Sequence, residues 1–165
     1  TDWFDRRLLA NGAVFFQDYT DKQVAVQQVN EATGFLEART ANAAAAEVWG
    51  AELELQWFAT DYLQLRAGYT FLDTEYSDYT ERTTGAANIA LAELIRPNNC
   101  QVVVTTTQAS CNLDLSGNEL EYAPRHAAVA GFTLQGEVAA DRNFFLEGDL
   151  VYQDDRYLDR FNTAK

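Results

Sequence analysis

The sequence predicts an all-β chain: a five-stranded antiparallel segment of a large transmembrane β-barrel, with one long extracellular loop that contains a short helix. Three observations carry this expectation. Apolar and polar residues alternate with period two in long runs, aromatic residues recur eight positions apart on single faces, and the connections alternate between very short and very long.

The alternation shows first in the composition. Residues counted as hydrophobic make up 47% of the chain, yet its mean hydropathy is mildly polar. Both hold only if apolar and polar residues are finely interleaved, as in strands with two unlike faces. No run approaches the roughly 18 uninterrupted apolar residues of a membrane-spanning helix, so any spanning structure has to be β. Ten Phe, eight Tyr and three Trp stand against two Pro and no Met, a balance suited to long strands.

Five segments are expected to be strands: Arg7 to Gln28, Leu36 to Trp57, Tyr62 to Ser77, Glu121 to Val138, and Asn143 to Tyr157. Most exceed the five or six residues usual in globular sheets. In the second, Trp49, Ala51, Leu53, Leu55 and Trp57 oppose Gly50, Glu52, Glu54 and Gln56. In the third, Leu63, Leu65, Ala67, Tyr69 and Phe71 oppose Gln64, Arg66, Gly68 and Thr70. In the fifth, Phe144, Leu146, Gly148, Leu150 and Tyr152 oppose Glu147, Asp149 and Gln153. The first repeats the pattern more weakly through Leu8, Ala10, Val14 and Phe16, while the fourth is small and apolar on both faces, which leaves its orientation open. The apolar faces are expected to point outward and Glu52, Glu54, Arg66, Glu147 and Asp149 inward.

Trp49 and Trp57 lie eight residues apart on one face, as do Phe144 and Tyr152. Eight residues at about 3.3 Å, tilted about 45°, rise roughly 19 Å, close to the apolar band of about 25 Å in outer-membrane barrels. Aromatic residues at both ends of that band would form two interfacial girdles. The connections fit the same picture. Residues 58–61 and 139–142 are short links, 29–35 is intermediate, and 78–120 is long. Short turns on one side and long loops on the other is the bacterial outer-membrane pattern. Within the long loop, Ala86 to Ile95 is rich in helix formers and Pro97 stops it.

A formal net charge of −13 makes nucleic acid a poor partner, because phosphate binding needs clustered Lys and Arg. Cys100 and Cys111 stand close together in a polar stretch and suggest a disulfide and an oxidising compartment, with two free thiols as the alternative. The first residues carry charges with no apolar core behind them, so an export signal is expected outside this chain.

At the level of motifs the chain resembles the C-terminal half of the barrel of a TonB-dependent receptor. Phe15, Phe16, Asp18, Tyr19, Asp21, Gln23 and Val24 resemble the family's strand ending Phe-Tyr-x-Asp-Tyr-x-Asp-x-Gln-Val. Asn42 through Trp57, with Glu47, Gly50, Glu52, Leu53 and Glu54, is similar to its Ala-x-x-x-Gly-x-Glu-Leu-Glu strand. Ala67 to Tyr76 matches the strand that follows, and Ala123-Pro124-Arg125-His126 resembles the proline that opens the next. The resemblance covers most of the chain except 78–120. It implies a barrel of about 22 strands, of which residues 1–165 are a portion. The plug domain, the energy-coupling box and the terminal aromatic strand of the family are not seen in this sequence.

Constellations with chemical potential have ordinary explanations. Glu52 with Glu54, and Glu147 with Asp149, are carboxylates two apart on one face, suited to acid-base work or a cation, but such faces are polar by default in wide barrels. His126 lacks a partner for metal binding or nucleophilic catalysis. Gly12, Gly50, Gly68 and Gly131 form no phosphate-binding pattern and suit close packing or bends. Ile89, Leu91 and Leu94 are expected to pack against neighbouring loops rather than touch solute. The sequence therefore points to no catalytic residue, no metal and no cofactor, and it names no substrate-binding residue.

What the resemblance implies is a non-enzymatic transport protein of the bacterial outer membrane. Its partners would be outer-membrane lipid, its own plug domain, an inner-membrane energy-coupling protein and a small solute such as a siderophore, cobalamin, haem or oligosaccharide. Two rivals come from other classes. One is a soluble extracellular β-sandwich that binds carbohydrate through exposed Trp and Tyr, and the other is a membrane-embedded barrel enzyme using Glu52, Glu54 or Asp73.

Overall fold

The computed structural model describes residues 2–3, 7–29, 36–84, 86–95, 97, 99–104, 109–139 and 141–165. Its elements in chain order are β1 (Asp2–Trp3), β2 (Leu8–Val29), β3 (Leu36–Phe58), β4 (Leu63–Thr84), α1 (Ala86–Ile95), β5 (Cys100–Val104), β6 (Ala109–Asp114), β7 (His126–Ala139) and β8 (Arg142–Gln153). The five expected strands are β2, β3, β4, β7 and β8. The chain forms two compact units, one of residues 1–16, 49–73 and 124–156, the other of residues 17–48, 74–123 and 157–165. Strands β2, β3 and β4 contribute residues to both.

The first unit is a sheet in the order β1-β2-β3-β4-β7-β8. Its tight connection between β3 and β4 is set by Thr60, whose Oγ1 accepts from the amides of Tyr62 at 3.2 Å and Leu63 at 3.0 Å. A hydroxyl that satisfies local amides in this way lets the chain reverse without a glycine. Arg7 donates to Asp61 at 2.9 Å beside it.

Register gives β7 the orientation its sequence leaves open. Leu63 pairs with Leu134, Leu65 with Phe132, Ala67 with Ala130 and Tyr69 with Ala128. Across the next ladder, Leu134 meets Leu146, Phe132 meets Gly148, Ala130 meets Leu150 and Ala128 meets Tyr152. Directly opposed residues share a face, so β7 contributes Ala128, Ala130, Phe132 and Leu134 to the apolar one. It begins at His126 rather than Glu121, since Pro124 has no amide to donate and constrains the residue before it. Strand β8 ends at Gln153 rather than Tyr157.

The second unit departs most from expectation. Strand β4 does not stop at Ser77 but runs to Thr84, changing partner on the way. Its first half pairs with β7, and Thr80–Thr84 pair with Asp114–Ser110 of β6. The expected 78–120 loop thus contains the predicted helix and also a hairpin, β5 with β6, added to the sheet. Cys100 and Cys111 are joined diagonally across that hairpin, with Cα atoms 5.5 Å apart. Residues 30–35, the expected link of intermediate length, lie outside the described residues.

Here the molecule has its core. Val24, Ala44, Ala46, Tyr76, Tyr79, Ala92, Cys111, Leu113 and Leu115 are buried together, with Ile89, Leu120 and Phe161 against them. Every buried side chain among the described residues belongs to this unit, and in the other unit only Gly50 is buried.

Candidate functional site

The polar face of the first unit is organised by Arg66. Its Nε donates to Asp149 Oδ1 at 3.0 Å, its Nη2 to Asp149 Oδ1 and to Glu147 Oε1, both at 2.6 Å, and its Nη1 to Thr133 Oγ1 at 3.0 Å. The guanidinium therefore reaches from β4 across β7 to β8. The residue beneath it is Gly131, which pairs with both Arg66 and Asp149. A Cβ there would lie 2.7 Å from Arg66 Nε and collide with the Asp149 carboxylate, so the crossing requires glycine. Charge-assisted, forked bonds of this kind fix geometry, which makes Arg66 a staple across three strands.

Two open grooves lie on this face. One is lined by Asn11, Glu54, Gln56, Gln64, Arg66 and Val129, the other by Glu52, Glu54, Gly68, Thr70, Val151 and Gln153. The structure therefore brings Glu52 and Glu54 onto one groove, whereas Glu147 and Asp149 are tied up by Arg66. Neither carboxylate pair has the nucleophile, base and orienting group that chemistry needs. Asp73 does not join them: it holds Arg125 at 2.6 Å. Among the described residues no group of three or more His, Cys, Asp and Glu could hold a metal ion.

The opposite face is apolar and, among the described residues, uncovered. Leu150 is 72% exposed and Trp49 53%, and Phe16 packs on Trp49 with ring centroids 6.2 Å apart. Its two ends are aromatic. Tyr62 and Phe144 close over Gly136 at the short-turn end, and Tyr69 and Tyr152 flank Ala128 at the other. His126 belongs to that second group. Tyr69 Oη lies 2.7 Å from its Nδ1, and the Phe71 ring centroid is 5.4 Å away. Its partners are aromatic, which is a packing role.

In the second unit the core is polar at its centre. The Tyr76 and Tyr79 rings meet at 4.9 Å, and both side chains are fully buried. Tyr76 Oη donates to Glu121 at 2.7 Å, and Lys22 Nζ lies 4.8 Å from the Tyr76 ring centroid. Tyr79 Oη donates to Glu81 Oε2 at 3.3 Å. Burial, and then the neighbouring Glu121 and Glu81 carboxylates, push both phenols well above their usual range. Hydrogen bonds to Glu81 raise the Arg160 guanidinium in turn. Of the helix residues expected to pack, Ile89 does so, while Leu91 and Leu94 are 53% and 76% exposed. Val102 and Val104 on β5 are exposed as well. Sequence reasoning missed the polar centre because Tyr76 and Tyr79 are three apart, a spacing that strict alternation does not bury.

A family model described as TonB dependent receptor-like, beta-barrel, matches residues 1–164. The crystal structure of the siderophore receptor PiuA from Acinetobacter baumannii matches with a TM-score of 0.60 and 21% sequence identity, over 99% of this chain and 18% of that one. At that identity the likeness speaks for the fold. The present chain spans 18% of the length of that receptor. No curated protein matches the chain.

Proposed function

Since the chain belongs to the TonB-dependent receptor-like β-barrel family, we propose that it is a wall segment of an outer-membrane receptor for energy-coupled uptake of a small solute, and that the solute is an iron-chelating siderophore. The observation that carries the transport reading is the two-faced sheet of the first unit. One face is an apolar band with aromatic ends and the other a polar wall stapled by Arg66. A sheet buried in a soluble domain needs a second layer over its apolar face, whereas a barrel wall has lipid there. That contrast disfavours the carbohydrate-binding sandwich, which the comparisons do not support either.

On this reading residues 78–120 are an extracellular loop, and the plug domain sits against the polar face. The plug and the inner-membrane coupling protein supply the energised step, and no enzymatic chemistry is involved. The siderophore assignment is drawn from the likeness to the siderophore receptor PiuA; cobalamin, haem and oligosaccharides are the competing cargoes. Deleting the parent gene should abolish uptake of a radio-iron-labelled hydroxamate or catecholate chelate, with restoration by a plasmid copy. Unchanged iron uptake together with lost cobalamin or haem uptake would replace the cargo, and no change in any would overturn the transport reading.

A further inference from the structure

We propose that Arg160 and Glu81 form a latch that makes the 74–123 insertion and the strap at 157–165 a single opening unit; its place outside the membrane rests on the transport reading. The strap folds on itself around Asp159, whose carboxylate accepts from the amides of Phe161 at 2.8 Å and Thr163 at 3.3 Å and from the Thr163 hydroxyl at 2.8 Å. Leu158 N closes the turn on Ala164 O at 3.0 Å. This small closed turn presents Arg160.

Arg160 then makes a forked bond to Glu81 near the end of β4, Nε to Oε2 at 2.5 Å and Nη2 to Oε1 at 2.8 Å. The two partners are 79 positions apart in sequence. The pair is sheltered, with side-chain exposures of 25% and 12%. The strap's main chain is held as well: buried Asn118 donates to Arg160 O at 2.7 Å, and Tyr122 N donates to Tyr157 O at 2.8 Å. On the insertion side the same residues are structural. Asn118 O accepts from Tyr76 N at 2.8 Å, and Leu115 N donates to Tyr79 O at 2.8 Å.

The apolar hold on the strap is slight, because Phe161 is the strap residue packed against the core. Most of what fastens it is therefore polar: the ion pair, those two hydrogen bonds, and the Asn162 amide, which donates to Glu119 O at 3.1 Å and accepts from Glu119 N at 2.8 Å. Breaking the pair strands a sheltered carboxylate beside Tyr79, which loosens the insertion as well as the strap. Segments fastened through one sheltered polar hub open cooperatively, as a unit distinct from the wall.

Hydrogen exchange of the full-length receptor in detergent micelles tests this. Arg160→Gln should speed exchange of the strap amide of Phe161 and the insertion amides of Leu115 and Tyr76 alike, by about tenfold or more, while Leu65 and Leu134 of the wall stay unchanged. Glu81→Gln should do the same, and the double variant should be no worse than either single one. Arg160→Lys, which keeps the charge and loses the fork, should fall between. Faster exchange confined to the strap, or additive effects in the double variant, would overturn the latch. Uptake of the radio-iron chelate provides a separate reading. A parent protein that takes up no chelate, cobalamin or haem would defeat the transport reading while exchange still decides the latch.

Discussion

The two units of this chain contain the same kind of strand and solve opposite problems. In residues 49–73 and 124–156 large apolar side chains lie exposed, Leu146 at 54% and Leu150 at 72%, and no buried side chain is present among the described residues. In residues 74–123 the β4 strand continues, but Tyr76, Tyr79 and Leu115 are fully buried. Burial of apolar surface away from water is what stabilises a fold in solution. The first unit leaves its apolar face open, where the proposed function places lipid and neighbouring barrel strands, while the second buries its own. The difference teaches that the chemistry of the surroundings, not strand propensity, sets which face of a strand is apolar.

Truncation should separate the units most sharply. Tyr76→Ala should destabilise the second unit by about 3–5 kcal/mol, the range for emptying a buried aromatic site. Tyr69→Ala on the wall opens no cavity, because its ring is 41% exposed, so its effect on barrel stability should be much smaller. Denaturant unfolding of the full-length protein in micelles measures both, and equal losses would erase the comparison.

Charge on the two faces of β8 comes next. Leu150→Arg places a cation in the middle rows of the apolar band and should cost about 2–4 kcal/mol in a lipid-refolded barrel. Val151→Arg, one residue on and facing the polar wall, should cost little. If Val151→Arg proves the more damaging, the two faces have been exchanged.

Reduction of the disulfide should act on the second unit alone. Cys100 and Cys111 are 11 apart, and closing so short a loop stabilises by a little under about 3 kcal/mol in the chain-entropy account. Hydrogen exchange after reduction should quicken across 100–104 and 109–113 and leave the wall ladder Leu65–Phe132 untouched. Equal protection before and after reduction would show that the hairpin is held by β4 and α1 without it.

How much was legible in the sequence follows the same division. Strands of the wall announce themselves because Glu52, Leu53, Glu54 and Leu55 must alternate when one side is wet and the other is not. The exception, β7, is small on both faces through Ala127–Ala130, and only pairing with Tyr69 and Tyr152 orients it. The disulfide was within reach from two cysteines in one polar stretch. The β5–β6 hairpin was not, since Val102, Val103 and Val104 form a short uninterrupted run with no face to show. Nor was the hub at Arg160, whose partner Glu81 lies in another element and is brought to it by tertiary packing alone. The Arg66 staple lies between: Gly131 stood out as a close-packing glycine, but what it makes room for depends on register.

The smallest expected effect is an alkaline pH dependence that comes from the two buried tyrosines of the second unit. Tyr76 and Tyr79 are buried and donate to Glu121 and Glu81, so folding raises both phenols above their unfolded value. A group raised on folding contributes its full stability below the unfolded value, about 10 for tyrosine, and loses it as pH climbs toward the folded one. The unfolded chain ionises first and is stabilised by doing so. At about pH 10.5 the loss should reach about 0.8 kcal/mol for each tyrosine, and it should grow with further alkali. Hydrogen exchange of the Leu115 amide, corrected for its intrinsic pH dependence, should report this loss, whereas the Leu134 amide of the wall should not. Tyr76→Phe removes one of the two ionisations and should roughly halve the alkaline sensitivity at Leu115 while lowering stability at neutral pH. If the alkaline loss at Leu115 survives in the double variant with Tyr76→Phe and Tyr79→Phe, the sensitivity comes from other groups, and the polar centre of the core is not its cause.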